Sequence, residues 1–274
     1  MMNEYDVRKD IIEVGRRCWL RGWVAANDGN ISVRISPDEI LATATGQSKG
    51  FLTPDLIVKV DRRGHLLEGQ IKPSSEILMH LLAYDERPEI RAVFHAHPPY
   101  CTAHAVAGIP LQECVLPEIV VTLGEIPLAQ YGTPSTEEVP QSLLPYLQNH
   151  DAFLLENHGA LTLGQDVFEA YYRMESIEHF AHIIYLARGL GSVNLLTQSQ
   201  VEKLSQLRSR YGLPGEVPLC RVRDSGGGAA ATGANNSPAT GSETSPTAGE
   251  KSTTDQLVEQ ITDRILAKLL QPRS

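Results

Sequence analysis

Residues 93–101 read VFHAHPPYC, with His95 and His97 one residue apart at the end of an apolar run. A strand alternates its faces with period two, so both imidazoles would leave the same face. Two rings that repel once protonated sit better beside a metal ion that joins them as neutral ligands. Ordinary packing of two hydrogen-bonded histidines is the competing reading. A third histidine, His158, lies in ENHGA (156–160), a tight glycine turn between two apolar runs. Three histidines from two strand ends can give a three-nitrogen site with one open position, the arrangement of catalytic zinc. KPSSE (72–76) places Ser74, Ser75 and Glu76 at a predicted helix start. They suit simple capping, with Glu76 favoured by the helix dipole. They also suit, less simply, an anion site of free N–H groups and two hydroxyls, with Glu76 a carboxylate beside the metal. GNIS (29–32) and TATG (43–46) are glycine turns next to strands. Each is ordinary alone, but Asn30, Thr45 and Gly46 can offer short donors to phosphate oxygens.

These residues need a scaffold, and the apolar pattern supplies one. Helices are expected over about Asp6–Leu20, from Pro73 to before Pro88, over Thr102–Ala107 and from Val167 to Arg188. Strands are expected at Ile31–Ile35, Ile40–Ala44, Ile57–Val60, Ile90–His95, Phe153–Glu156 and Ala160–Leu163. Alternation of the two implies a sheet covered by helices, an α/β fold. Several strand links are too short for parallel crossovers, so much of the sheet should be antiparallel.

In this order, GNIS, TATG, PSSE, HAH and ENHG resemble the class II aldolase/adducin family, and within it the branch that cleaves L-fuculose 1-phosphate. The likeness covers roughly residues 6–213. It implies a three-layer α/β/α fold with a central, largely antiparallel sheet, assembled as a homotetramer with active sites between subunits. It implies a Zn2+-dependent lyase releasing dihydroxyacetone phosphate and L-lactaldehyde from a ketose 1-phosphate, L-fuculose or L-rhamnulose 1-phosphate. His95, His97 and His158 correspond to the zinc ligands. Glu76 corresponds to an acid/base that can also touch the metal. Gly29, Asn30, Thr45, Gly46, Ser74 and Ser75 correspond to the phosphate and substrate positions, and Tyr211 of RYGL to a catalytic tyrosine. One feature departs from the pattern: residues 109–127 contain no tyrosine to handle the aldehyde oxygen, only Glu113, Glu118 and Glu125 as acids. An L-ribulose-5-phosphate 4-epimerase-like activity is the alternative, and an adducin-like binding module the non-catalytic one.

Composition narrows the rest. The chain has 274 residues, 42% hydrophobic, with a net charge of −9 and no basic block, so a nucleic-acid partner is not expected. No apolar run is long enough to span a bilayer, and MMNEYDVRKDIIEV lacks the apolar core of a secretory signal. The four cysteines, with no C-x-x-C pair, are expected to be reduced. Residues 1–223 read as the catalytic domain. Residues 224–254 contain no Val, Ile, Leu, Met or aromatic residue and read as a flexible linker. Residues 255–271 read as an amphipathic helix striped by Leu257, Ile261, Ile265 and Leu269. This tail resembles an encapsulation peptide. The likeness implies a microcompartment shell protein as partner and the compartment lumen as location, with the cytoplasm as the alternative.

Overall fold

The computed structural model describes residues 3–210, 213 and 218–223. The expected strands form: Asn30–Arg34 (β1), Glu39–Thr43 (β2), Ile57–Asp61 (β3), Ala92–Ala96 (β5), Ala152–Leu155 (β7) and Gly159–Gly164 (β8). Two short ones join them, Leu66–Glu68 (β4) and Leu128–Ala129 (β6). One sheet results, in the order β4-β3-β2-β1-β5-β8-β7-β6. Every pairing is antiparallel except β6 with β7. Short links such as the β7–β8 turn leave no length for a crossover, so the chain reverses directly.

Helices cover both faces. Along β5 the period-two alternation sends Ala92, Phe94 and Ala96 into one core, shared with Glu4–Leu20 (α1), Pro99–Val106 (α3), Pro117–Thr122 (α4) and Val167–Gly189 (α6). Val93 enters the opposite core, with Ile77–Glu86 (α2) and Glu138–Leu147 (α5). The architecture is therefore three-layered α/β/α, as the family likeness implied. A further helix, Gln198–Arg210 (α7), packs through Val201 and Leu204 against a small cluster containing Cys114, Val120 and Cys220. No helix among the described residues is long and apolar enough to cross a membrane.

Two expectations are corrected. The helix expected from Pro73 begins four residues later, because Pro73 forms an isolated bridge with Ala44 and Ser74 N–H donates to the Thr43 carbonyl. Ser74, Ser75 and Glu76 therefore sit in the turn before α2. The cysteines are not all reduced: Cys114 and Cys220 form a disulfide, while Cys18 and Cys101 are free and buried. No local spacing could show a pair 106 residues apart. Backbone pairing makes it, with Cys114 N–H donating to the Arg221 carbonyl and Arg221 N–H to the Gln112 carbonyl. Tyr211, Gly212, residues 214–217, the expected linker 224–254 and the expected helix 255–271 lie outside the described residues.

Candidate active site

The three histidines meet where β5 ends. Pairing of His95 with Leu161 and of Ala96 with Ala160 sets the β7–β8 turn opposite the end of β5. Asn157 adopts a left-handed φ of 55° there, closing the turn that carries His158. Gly159 makes the approach possible, because a Cβ at this position would lie 2.6 Å from both the Ala96 carbonyl oxygen and the His97 ring. Ring centroids are then 4.9 Å apart for His95 and His97, 4.6 Å for His95 and His158, and 5.1 Å for His97 and His158.

Hydrogen bonds orient the rings. His95 Nδ1 lies 2.9 Å from the Ala160 carbonyl, which can only accept, so Nδ1 carries the proton and Nε2 presents a lone pair. His97 Nδ1 lies 3.4 Å from Asp28 Oδ2, and its Nε2 faces His95 Nε2 at 3.1 Å. Burial drives both rings below their ordinary pKa; Glu76 opposes it at His95, and His158 reinforces it at His97. Two neutral nitrogens facing each other as acceptors are satisfied by a cation between them. One potential ligand atom from each of His95, His97 and His158 falls within 4.8 Å of the others, and the Asp28–His97 pair supplies the outer carboxylate that metal-bound histidines commonly have. The donor set thus fits a divalent metal ion.

Glu76 is not a helix cap. Its backbone holds the N-cap position of α2, but the side chain makes no capping bond. Its oxygens instead lie 3.1 Å from His158 Nε2, 3.6 Å from His95 Nε2 and 2.8 Å from Asn30 Nδ2. Burial works against its ionisation. The His95 and His158 imidazoles and the Asn30 amide outweigh that, and the carboxyl is held well below the usual carboxylate range.

Behind Glu76 runs a buried polar chain. Asn30 Oδ1 accepts from His80 Nε2 at 2.5 Å, His80 Nδ1 faces Ser32 Oγ at 2.7 Å, and Ser32 Oγ faces Tyr84 OH at 2.8 Å. The carboxylate end determines the directions. Glu76 accepts, so Asn30 turns its NH2 toward it and its oxygen toward His80. His80 must then donate from Nε2 and accept from Ser32 at Nδ1. Burial pushes His80 down to about 3, so the ring is neutral, as this arrangement requires.

Gly29, Asn30, Thr45, Gly46, Ser74, Ser75, Glu76, His97 and His158 all line one cavity of about 280 Å3. His95 is fully buried beside it. Gly29, at a φ of 72°, lets the turn press against β5, where a Cβ would meet the His95 carbonyl oxygen at 2.8 Å. Ser74 Oγ accepts from Glu76 N–H and from Asn30 Nδ2, which leaves its own proton to donate. Of the acids in 109–127, Glu113 is paired with Arg188 and Arg221, Glu125 lies beside His150, and Glu118 is exposed. None of the three lines the cavity among the described residues. Asp28, Lys49, His80 and Ser135 had not been expected at the site. Ser135, in GTPST, donates to Ser75 Oγ at 2.8 Å and lines the cavity.

The family description "Class II Aldolase and Adducin N-terminal domain" matches residues 9–185. A 3-oxo-tetronate 4-phosphate decarboxylase of Escherichia coli (strain K12) is 31% identical over 205 residues, 73% of this chain and 96% of that protein. An L-fuculose phosphate aldolase of Methanococcus maripaludis is 34% identical over 181 residues, 66% of this chain and 97% of that protein. The solved structure of an L-fuculose 1-phosphate aldolase superposes with a TM-score of 0.69 at 29% identity, covering 74% of this chain and 96% of the other. The chain belongs to the class II aldolase and adducin family.

Proposed function

We propose that this family member is a metal-dependent lyase that breaks a carbon–carbon bond of a phosphorylated ketose, releasing dihydroxyacetone phosphate. The observation that carries the reading is the convergence of His95, His97, His158 and Glu76 at the wall of a cavity otherwise lined by hydroxyls and glycine turns. Ser74, Ser75, Thr45, Gly46 and Asn30 hold the phosphate and neighbouring oxygens. When bound by the three histidines, a divalent ion, Zn2+ in this proposal, supplies positive charge to the carbonyl side of the breaking bond. Glu76, a carboxylate in the free site, takes up the proton given up by the C4 hydroxyl and returns it to C3, the carbon that keeps the electron pair. Asn30 fixes the carboxylate from the side away from His158, so the proton is delivered along one line. The proposed substrate is L-fuculose 1-phosphate, with L-rhamnulose 1-phosphate as a second.

A second reading is favoured by the missing tyrosine. Loss of CO2 from a 3-oxo acid 4-phosphate leaves the same electron pair on the same carbon of dihydroxyacetone phosphate, and Glu76 would protonate it identically. Decarboxylation starts from a carboxylate and has no C4 hydroxyl proton to remove, so no tyrosine in 109–127 is required to take it. Product analysis separates the readings. Purified Zn2+-loaded enzyme is given L-fuculose 1-phosphate, L-rhamnulose 1-phosphate and 3-oxo-tetronate 4-phosphate, with and without a chelator. Dihydroxyacetone phosphate with lactaldehyde supports the aldolase, and dihydroxyacetone phosphate with CO2 the decarboxylase. Turnover that survives complete metal removal sinks both. Inversion of L-ribulose 5-phosphate without product release would instead point to the epimerase. A homotetrameric assembly and delivery to a microcompartment by residues 255–271 belong to the same proposal.

A further inference from the structure

Lys49 opens the short 3-10 turn Lys49–Phe51, and its side chain is buried, with 2% of the residue exposed. Lysines are almost never buried this deeply without a counter-charge. Here the ammonium donates to two backbone carbonyls, Asn27 at 3.0 Å and Gln47 at 2.6 Å. Carbonyl dipoles orient an ammonium but do not neutralise it, and two bonds leave one of its three N–H groups to spare. The carboxylates of the same cavity, Asp28 and Glu76, favour the ammonium through space, but they are directed at His97 and His158 and neither makes an ion pair with it. Cys18, also near, is a neutral thiol, pushed up to about 12 by burial. The position is built in: a Cβ on Gly15 of α1 would lie 2.7 Å from the Lys49 carbonyl oxygen, so the helix packs directly on the lysine backbone. Lys49 lines the cavity together with Thr45, Gly46, Ser74 and Ser75. The two loops it grips lead into Gly29–Asn30 and out of Thr45–Gly46.

We propose that Lys49 is an anion-binding residue whose missing direct counter-ion is the phosphate monoester of the substrate. The hydroxyls and turn amides of the cavity supply shape and hydrogen bonds, and Lys49 supplies the fixed positive charge. The identity of the anion rests on the sugar-phosphate reading above; the demand for an anion does not.

The test is calorimetric titration of the Zn2+-loaded full chain with dihydroxyacetone phosphate and, separately, with dihydroxyacetone. Lys49→Met should weaken binding of the phosphate ester roughly 10-fold to 100-fold, the range for loss of a hydrogen bond to a charged group. Affinity for dihydroxyacetone and metal content should stay unchanged, and Lys49→Arg should recover most of the loss. Equal weakening of both ligands would make Lys49 a staple between loops and overturn the proposal. Unchanged affinity for the phosphate ester would do the same. If Lys49→Met does not fold, the wild-type lysine ammonium NMR signals are followed during titration with inorganic phosphate. Lys49 should shift saturably, and no shift at saturation rejects the assignment. Cleavage of sugar phosphates with Lys49→Met binding like wild type defeats this inference alone. Lys49-dependent binding of dihydroxyacetone phosphate by an enzyme that cleaves nothing defeats the functional reading alone.

Discussion

Glu76 and His97 carry the most direct tests at the scale of single residues. Glu76→Gln keeps an acceptor for Asn30 Nδ2 and nearly the same volume, so the fold should hold. What it loses is the ability to take and give a proton, and kcat should fall by about a hundredfold or more, the range for general acid–base catalysis; near-normal turnover would reduce Glu76 to a structural role. His97→Ala removes one of three converging nitrogens, and metal analysis should show loss of the ion together with activity. Full metal occupancy in that variant would overturn the ligand set. His80 makes a stability prediction. Its native pKa is lowered from 6.5 to about 3 by burial. The unfolded chain therefore takes up a proton below about pH 6.5 that the native state refuses, and stability must fall as pH drops through that window. The contribution lost between pH 6.5 and pH 5 is about 2 kcal/mol. Denaturant unfolding at both pH values, compared with His80→Gln, checks the sign, since the variant should lose less on acidification than wild type. The three converging histidines were legible in the sequence because period-two spacing and a glycine turn carry local information, whereas KPSSE alone suits a helix cap best and only the family resemblance puts Glu76 beside the metal. Lys49 and His80 were not legible. A lysine before glycine and a histidine in an apolar helix look the same whether buried at a cavity or exposed, and only the packing of α1 and β1 against them decides.

The elements turn separate motifs into a site. β1 pairs with β5, and Asn30 lies opposite His95 in that ladder, so the phosphate turn and the metal end share one edge of the sheet. Gly159 is the narrowest point in this arrangement. Gly159→Ala should press on the His97 ring and the Ala96 carbonyl. The expected cost is about 1–3 kcal/mol of stability, typical of overpacking, together with weaker metal binding in a direct titration. Wild-type metal affinity in a folded Gly159→Ala protein would show that the turn has slack. The sequence read the length of most strands within a residue or two, because their apolar alternation is clean. It misplaced the start of α2, since Pro73 suits both the first turn of a helix and the bridge with Ala44 that it makes. It missed α7, whose buried side depends on Cys114, Val120 and Cys220 from distant segments. The Cys114–Cys220 bond closes a loop of about a hundred residues, for which chain-entropy reasoning gives about 4.7 kcal/mol, against about 2–4 kcal/mol for a typical disulfide. Cys114→Ala with Cys220→Ala should lower the unfolding free energy by that order while leaving metal content unchanged, since neither cysteine lines the cavity.

On the scale of the whole chain, every described residue lining the cavity falls between Asn27 and His158. The tail is outside that range and has a composition of its own. Residues 224–254 lack the apolar side chains that would offset the entropy of ordering, and residues 255–271 carry a stripe at helical spacing. An isolated helix shorter than about 12–15 residues is marginal in water, and the stripe runs only from Leu257 to Leu269, so under the proposed reading it gains most by laying its apolar face in a partner's groove. If residues 224–254 act as the proposed linker, they allow that at a distance of roughly 30 Å from their root, from about 5–6 Å times the square root of their length. Removing residues 224–274 should therefore leave kcat and metal content unchanged. It should also take the enzyme out of any shell-bound fraction when cell extracts are separated by sedimentation. The complementary experiment fuses residues 251–274 to a fluorescent protein in cells that assemble microcompartments. Fluorescence should gather in puncta with the shell, and changing Leu257, Ile261, Ile265 and Leu269 to serine should disperse it. Diffuse fluorescence from the unaltered fusion would reject a shell partner. Loss of activity on truncation would instead assign the segment to the catalytic assembly, because a helix that docks only on a partner has no reason to affect turnover.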